Sequence, residues 1–160
     1  MVNWDLIGHE WAVDLLREHI TQDRLRHAYL FVGPPGSGRR TLAIRFFQAL
    51  NCLQPAQPGE RCGVCRACTH IERLQHPDLA IVQAEQEGAT LKVEQIRALQ
   101  HTLALSPYEA RYRAALILRF QEAHISAANA LQNTMEEPAS RVELLLTAES
   151  AEDQLTTILS

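Results

Sequence analysis

The apolar positions change period several times along the chain. From His9 to Ile20, Trp11 or Ala12, Leu15, Leu16 and Ile20 fall on one side, with Asp14, Arg17 and Glu18 on another. That spacing predicts an amphipathic helix. Ala28-Tyr29-Leu30-Phe31-Val32 is a short unbroken apolar run ending at Gly33-Pro34-Pro35-Gly36. It predicts a strand buried on both faces and closed by a turn. Helical period returns from Thr41 to Leu50, giving the order strand, glycine loop, helix. Pro55, Pro58 and Gly59 break regular structure within 52–70. Leu79–Val82, Ala114–Leu118 and Val142–Thr147 read as three further strands. Between them, Val93, Ile96, Leu99 and Leu103 mark a helix that stops before Pro107, and Ala127 to Met135 a helix closed by Pro138. A last short helix is expected over Ala151–Leu159. Apolar strands alternating with helices predict an α/β fold: a parallel sheet covered on both faces.

At 160 residues, 46% of them apolar, the chain suits one domain with a small insert. No apolar run approaches the ~20 residues of a membrane-spanning helix. Met1-Val2-Asn3-Trp4-Asp5 lacks the basic and apolar regions of a signal peptide. The chain stops directly after its last helical pattern, which reads as a cut rather than a natural end. The net charge is −4, so the chain by itself is no magnet for nucleic acid. Its only lysine is Lys92; every other base is arginine.

That scarcity of lysine matters at the glycine loop. Gly33-Pro34-Pro35-Gly36-Ser37-Gly38-Arg39-Arg40-Thr41 has the glycine frame of a phosphate-binding loop, G-x-x-x-x-G-K-[ST], between a strand and a helix. Glycines let several backbone N–H groups converge on one anion, and the helix adds its positive end. The lysine position holds Arg39, and the hydroxyl position that ligates Mg²⁺ holds Arg40. Thr41 comes one residue too late, about 100° around the helix. The third strand lacks the Mg²⁺-binding aspartate as well. In either register its place falls on Arg119 or Gln121, and Glu122 alone remains as an acid. Three losses on one metal–phosphate site predict a phosphate-loop fold without productive Mg-ATP binding. Gly33, Gly36, Gly38, Arg39, Arg40 and Thr41 are its degenerate nucleotide-site residues.

Cys52, Cys62, Cys65 and Cys68 supply four thiolates at short spacing. With no export signal, such clustering points to a metal, and overlapping C-x2-C turns suit tetrahedral Zn²⁺. Disulfides and an iron–sulfur cluster are the other readings of the same spacing. Four cysteines make a closed structural site that holds together an insert over 52–76, leaving His70 and His76 as surface residues. Arg61, Arg66 and Arg73 flank the cysteines and offer a separate reading, a zinc-centred module touching DNA phosphates.

Several segments carry a resemblance in their order. They are Ile7-Gly8-His9-Glu10, His27–Gly36, the four-cysteine insert, Ala128–Pro138 and Leu144-Leu145-Leu146-Thr147-Ala148. The chain resembles the N-terminal AAA+ domain of bacterial DNA polymerase III clamp-loader subunits, the group of gamma/tau and delta-prime. The resemblance spans nearly the whole chain. Motor members keep Lys-Thr in the loop and Asp-Glu on the third strand; the departures at Arg39, Arg40 and Arg119 or Gln121 resemble the non-motor, delta-prime branch. It implies a stator in the cytoplasmic complex that loads the sliding clamp onto primed DNA, with gamma/tau and delta subunits as partners. A divergent gamma/tau-like ATPase is the alternative. The resemblance further implies a sheet order of 5-1-4-3-2, with the fifth strand after Ser160. It also implies a lid and a collar domain beyond this chain, and an arginine finger directly after Ser160, with Thr156–Ser160 leading into it. Thr147 matches a polar sensor position, and Glu136-Glu137-Pro138 a helix end that contacts a neighbour. Without the fifth strand, Ala28–Val32 becomes a sheet edge, and edge-to-edge self-association of copies is expected. A monomer with that edge covered by its own residues would contradict this. Trp4 and Trp11 are expected to anchor packing.

Overall fold

The computed structural model describes residues 4–6, 8–34, 36–86, 88–136 and 139–149. Helix α1 (Glu10–Thr21) precedes strand β1 (Ala28–Val32), and α2 (Arg39–Asn51) and α3 (Arg66–Glu72) precede β2 (Leu79–Val82). Helix α4 (Val93–Leu103) leads to β3 (Arg113–Ile117), and α5 (Ile125–Glu136) to β4 (Val142–Ala148). All strand pairs are parallel and the order is β1-β4-β3-β2. This matches the expected order over the strands described. The expected last helix, the fifth strand and the Thr156–Ser160 segment lie outside the described residues. No helix among the described residues is long and apolar enough to cross a membrane.

Period-two alternation divides the strands between two cores. Tyr29, Phe31, Leu116 and Leu145 face α1, α2 and α3, with Trp4 and Phe46 fully buried there. Leu30, Ile117, Leu144 and Leu146 face α4 and α5, around Leu91, Ile96 and Leu131. β3 and β4 are buried along their whole length, as a strand with neighbours on both sides must be.

Four expectations need correction. β1 is half-buried rather than buried on both faces, because among the described residues it pairs only with β4; Val32 is 48% exposed. Trp11 does not anchor packing. It is 75% exposed, since Val13 and Leu16 carry the buried stripe of α1 and leave Leu15 partly outside. The cysteine stretch does contain regular structure: α3 begins at Arg66, where the prolines have ended and the Cys65 sulfur accepts the Cys68 N–H as a cap. His76 is buried, not on the surface; its ring packs edge-on to Phe47 and its Nδ1 accepts the Asp78 N–H.

Three acids are buried among the described residues, Glu60, Asp78 and Glu143, and the last two are the deepest. Asp78, at the mouth of β2, has no exposed surface and holds the 108–110 turn (below). Glu143 on β4 is 3% exposed, and its Oε1 has no hydrogen-bond partner among the described residues. Burial pushes the Glu143 carboxyl up to about 8. The folded chain therefore keeps a proton that the unfolded chain releases near pH 4.5, and stability falls as pH rises from there to about 8. Glu143→Gln removes this titration. At pH 8 the variant is expected to be more stable by about 4 kcal/mol, with the two chains converging at pH 4. Urea midpoints across that range would show it; parallel curves for the two proteins would contradict the assignment.

Candidate functional site

The glycine loop joins β1 to α2 at the carboxyl ends of the strands, where ligands of open α/β sheets bind. Its glycines are required by geometry. Gly38 takes φ +86 as the residue before α2, and a side chain there would press on the His9 ring. A Cβ on Gly33 would stand 2.5 Å from Ser37 Oγ. The loop is braced from within and from α1's entry: the Ser37 N–H donates to the Pro34 carbonyl at 3.1 Å, and His9 Nε2–H donates to the Ser37 carbonyl. A carbonyl only accepts, which fixes the ring proton on Nε2.

Arg39 turns back into the loop it follows. Its Nη1 donates to the Gly33 carbonyl and, at 3.3 Å, to the carbonyl of Ala148 at the end of β4. The guanidinium thus bridges the carboxyl ends of β1 and β4. Arg40 and Gly36 are exposed, while Thr41 is partly buried in the first turn of α2. Beside the loop, towards the edge of β1 that is unpaired among the described residues, lies an apolar cavity of about 310 Å³ lined by Trp11, Leu15, Phe31, Ser37 and Arg39.

The end of the third strand is closed in a similar way. Arg119 adopts φ 52 and donates its N–H to Thr147 Oγ1 at 3.1 Å. Its side chain pairs with Glu122 (Nε–Oε1, 2.9 Å) and with Gln83 (Nη1–Oε1, 3.1 Å). Glu122 Oε2 also accepts the Gly88 N–H at 2.8 Å, and Gln121 Oε1 accepts the Glu149 N–H. Glu122 is therefore not a free exposed acid: its side chain is 13% exposed and already faces a cation. Thr147, which the resemblance matches to a sensor position, is buried and its hydroxyl accepts the Arg119 N–H.

The four cysteines converge as their spacing predicts. Cys52 caps α2, Cys62 and Cys65 bracket the Gly63 turn, and Cys68 lies in α3. Their sulfurs all lie within 4.8 Å of one another, and none is in a disulfide. In a tetrahedral zinc site with Zn–S bonds of about 2.3 Å, sulfurs stand about 3.8 Å apart, so the set fits with a small contraction. Backbone N–H groups point at the sulfurs: Cys62 N–H at Cys52 Sγ (3.2 Å), Cys65 N–H at Cys62 Sγ (3.1 Å) and Cys68 N–H at Cys65 Sγ (3.4 Å). Burial alone would raise the Cys62 thiol, but the Val64 and Cys65 N–H groups outweigh it and bring it down to about 6. Burial raises Cys52 and Cys68. His70 and His76 are not in the cluster.

Polar side chains fix the frame around these sulfurs. Arg111 donates to the Cys52 carbonyl (2.9 Å), and buried Gln48 donates to the Cys68 carbonyl (2.9 Å). Asn51 accepts the Tyr112 N–H, tying the end of α2 to the start of β3. On its outer side the module grips the N-terminal segment. Trp4 Nε1–H donates to the Gly59 carbonyl at 3.0 Å, and Arg61 meets Asp5 at 2.7 Å. Of the three arginines flanking the cysteines, Arg61 is thus engaged, and Arg66 stands 3.5 Å from Glu109.

Residues 8–160 match the family model described as DNA polymerase III, delta subunit. The chain is 36% identical over 93% of its length to the DNA polymerase III subunit delta' of Bacillus subtilis. It belongs to the delta-prime clamp-loader family. The Pseudomonas aeruginosa delta' subunit is 34% identical over 84% of the chain. The tau/gamma subunit of Haemophilus influenzae is 34% identical over 98% of it. The chain spans 44%, 40% and 22% of these three relatives, so less than half of each. A gamma subunit-related protein from Thermotoga maritima shares the fold at a TM-score of 0.64 and 15% identity, over 91% of this chain and 43% of that one. The resemblance drawn from His27–Gly36 and the later segments is thus borne out at the level of the family.

Proposed function

We propose that this delta-prime family chain is the non-motor AAA+ part of a DNA polymerase III clamp loader. It acts as a stator beside gamma/tau and delta subunits while the complex places a sliding clamp on primed DNA. One observation carries this reading. The two positions that would meet phosphate and magnesium hold Arg39 and Arg119, and both cations are turned onto the protein's own groups. A triphosphate would have to displace Arg39 from two carbonyls, and Glu122, the one acid left at the end of the third strand, is already paired with Arg119. Gly33, Gly36, Gly38, Arg40 and Thr41 then keep the shape of a nucleotide loop without its chemistry. The four cysteines hold a structural zinc ion that contributes folding energy and no open position for catalysis. The lid, the collar and the arginine finger belong to the rest of such a subunit, and the setting is the cytoplasm.

The motor alternative needs Glu122 as its acid, and the 2.9 Å pair with Arg119 weighs against it. The DNA-binding alternative needs free arginines around the cysteines, and the pairs of Arg61 and Arg66 weigh against that. Reconstituting the full-length subunit with its gamma/tau and delta partners tests the stator reading. Omitting it should abolish clamp loading, and Glu122→Gln should leave the ATP turnover of the complex unchanged. A collapse of turnover with Glu122→Gln would make this chain a motor.

A further inference from the structure

The four cysteines differ in their access to solvent. Cys52 and Cys68 have no exposed surface and Cys65 is 8% exposed, whereas Cys62 is only half-buried. Cys52 and Cys68 are fixed at the end of α2 and inside α3, within the apolar core. Cys62 and Cys65 instead bracket a turn whose Val64 is 72% exposed. The Cys65 N–H already points at Cys62 Sγ, and the sulfurs lie within 4.8 Å. A disulfide of about 2.0 Å between these two draws in Cys62 on its exposed turn and takes the Cys65 sulfur from the Cys68 N–H that it caps. Cys52 and Cys68 lie in the packed core with no surface from which a peroxide could reach them.

We propose that Cys62 and Cys65 form a site of reversible oxidation, in which a peroxide attacks at Cys62 and Cys65 resolves the product. This rests on the zinc reading above. The Cys62 sulfur attacks one peroxide oxygen and the O–O bond breaks. The departing hydroxide takes a proton and leaves as water, and Cys62 becomes a sulfenic acid. The Cys65 sulfur then attacks Cys62 Sγ, the S–O bond breaks, and a second protonated hydroxide leaves as water. Two thiolates lose two electrons to the peroxide, and the solvent supplies the two protons consumed. Cys52 and Cys68 alone are too few to hold zinc, so the metal leaves. Those two remain as buried thiols packing like small apolar groups, and the α2–α3 contact survives while residues 53–64 lose their anchor.

Limiting hydrogen peroxide applied to the full chain tests this. Differential alkylation with peptide mapping would locate the linkage, and a chromogenic chelator would follow the metal. The Cys62–Cys65 linkage is expected to dominate, zinc loss to track it, and dithiothreitol to reverse the linkage. Cys52 and Cys68 should be recovered as free thiols. In Cys65→Ser, the sulfenic acid should persist at Cys62 and be trapped by dimedone. Oxidation beginning at Cys52 or Cys68, or a scrambled set of linkages, would overturn the proposal. Protein that holds no zinc before peroxide is added contradicts the metal reading alone; the linkage map still decides the oxidation.

Discussion

Asp78→Ala is expected to cost about 3–5 kcal/mol, lowering the thermal midpoint by about 10 °C or more. The Asp78 carboxylate has no exposed surface and accepts the N–H groups of Tyr108, Glu109 and Ala110, the last two at 2.8 Å. Arg113, 7% exposed, closes the cluster at 3.1 Å. Burial would raise this carboxyl, but the three backbone donors and the guanidinium outweigh it and hold it below the ordinary range. Removing it leaves Arg113 as a buried charge whose remaining partner among the described residues is the Ser106 carbonyl, and three donors without the acceptor they now share. The loop that turns α4 into β3 loses its brace. The sign of the shift adds a second readout. The pair contributes above the unfolded carboxyl pKa, and its contribution disappears as pH falls through the depressed folded value. Wild type should therefore lose its advantage over Asp78→Ala in acid. A variant within 1 kcal/mol of wild type at pH 7 would show that the cluster contributes far less than its geometry suggests.

The second large effect concerns the cysteines. Treatment with a strong chelator, which would remove the zinc proposed for the four cysteines, or Cys68→Ser, is expected to lower the thermal midpoint by about 10 °C or more. The loss should be uneven. Residues 53–64 hold the N-terminal segment through Trp4–Gly59 and Arg61–Asp5, and α1 through Arg17–Glu60 at 3.7 Å. Hydrogen exchange should rise in those segments first, while β3 and β4 stay protected. Protein that contains no zinc by elemental analysis, with a midpoint indifferent to chelator, would refute the structural-metal reading.

The fold was legible because its signals are local. Apolar runs at Leu79–Val82, at Ala114–Leu118 and, broken only by Glu143, at Val142–Thr147 mark parallel strands, of which β3 and β4 are buried throughout, and Gly33, Gly36 and Gly38 mark a loop that few other residues can form. The cysteine cluster was legible because short C-x2-C turns bring sulfurs together whatever surrounds them. What escaped is decided by partners distant in sequence. Nothing near Asp78 announces that residues 108–110 will turn their N–H groups onto it, although an acid just before a buried strand was a hint. Glu143 reads as one polar break in an apolar run; its burial follows from β4 having neighbours on both sides. Trp11 was misplaced because Val13 and Leu16, rather than Trp11 and Leu15, face the core, a rotation that α1's pattern leaves open. The absence of lysine and aspartate at the nucleotide loop was visible. That Arg39 and Arg119 occupy the space with their own contacts was not.

Isothermal titration of the purified full chain with ATP and magnesium tests the closed loop most directly. The contacts of Arg39 with Gly33 and Ala148, and of Arg119 with Glu122, predict no saturable heat at millimolar nucleotide and no change when magnesium is withheld. One-to-one binding in the micromolar range that disappears without magnesium would contradict it.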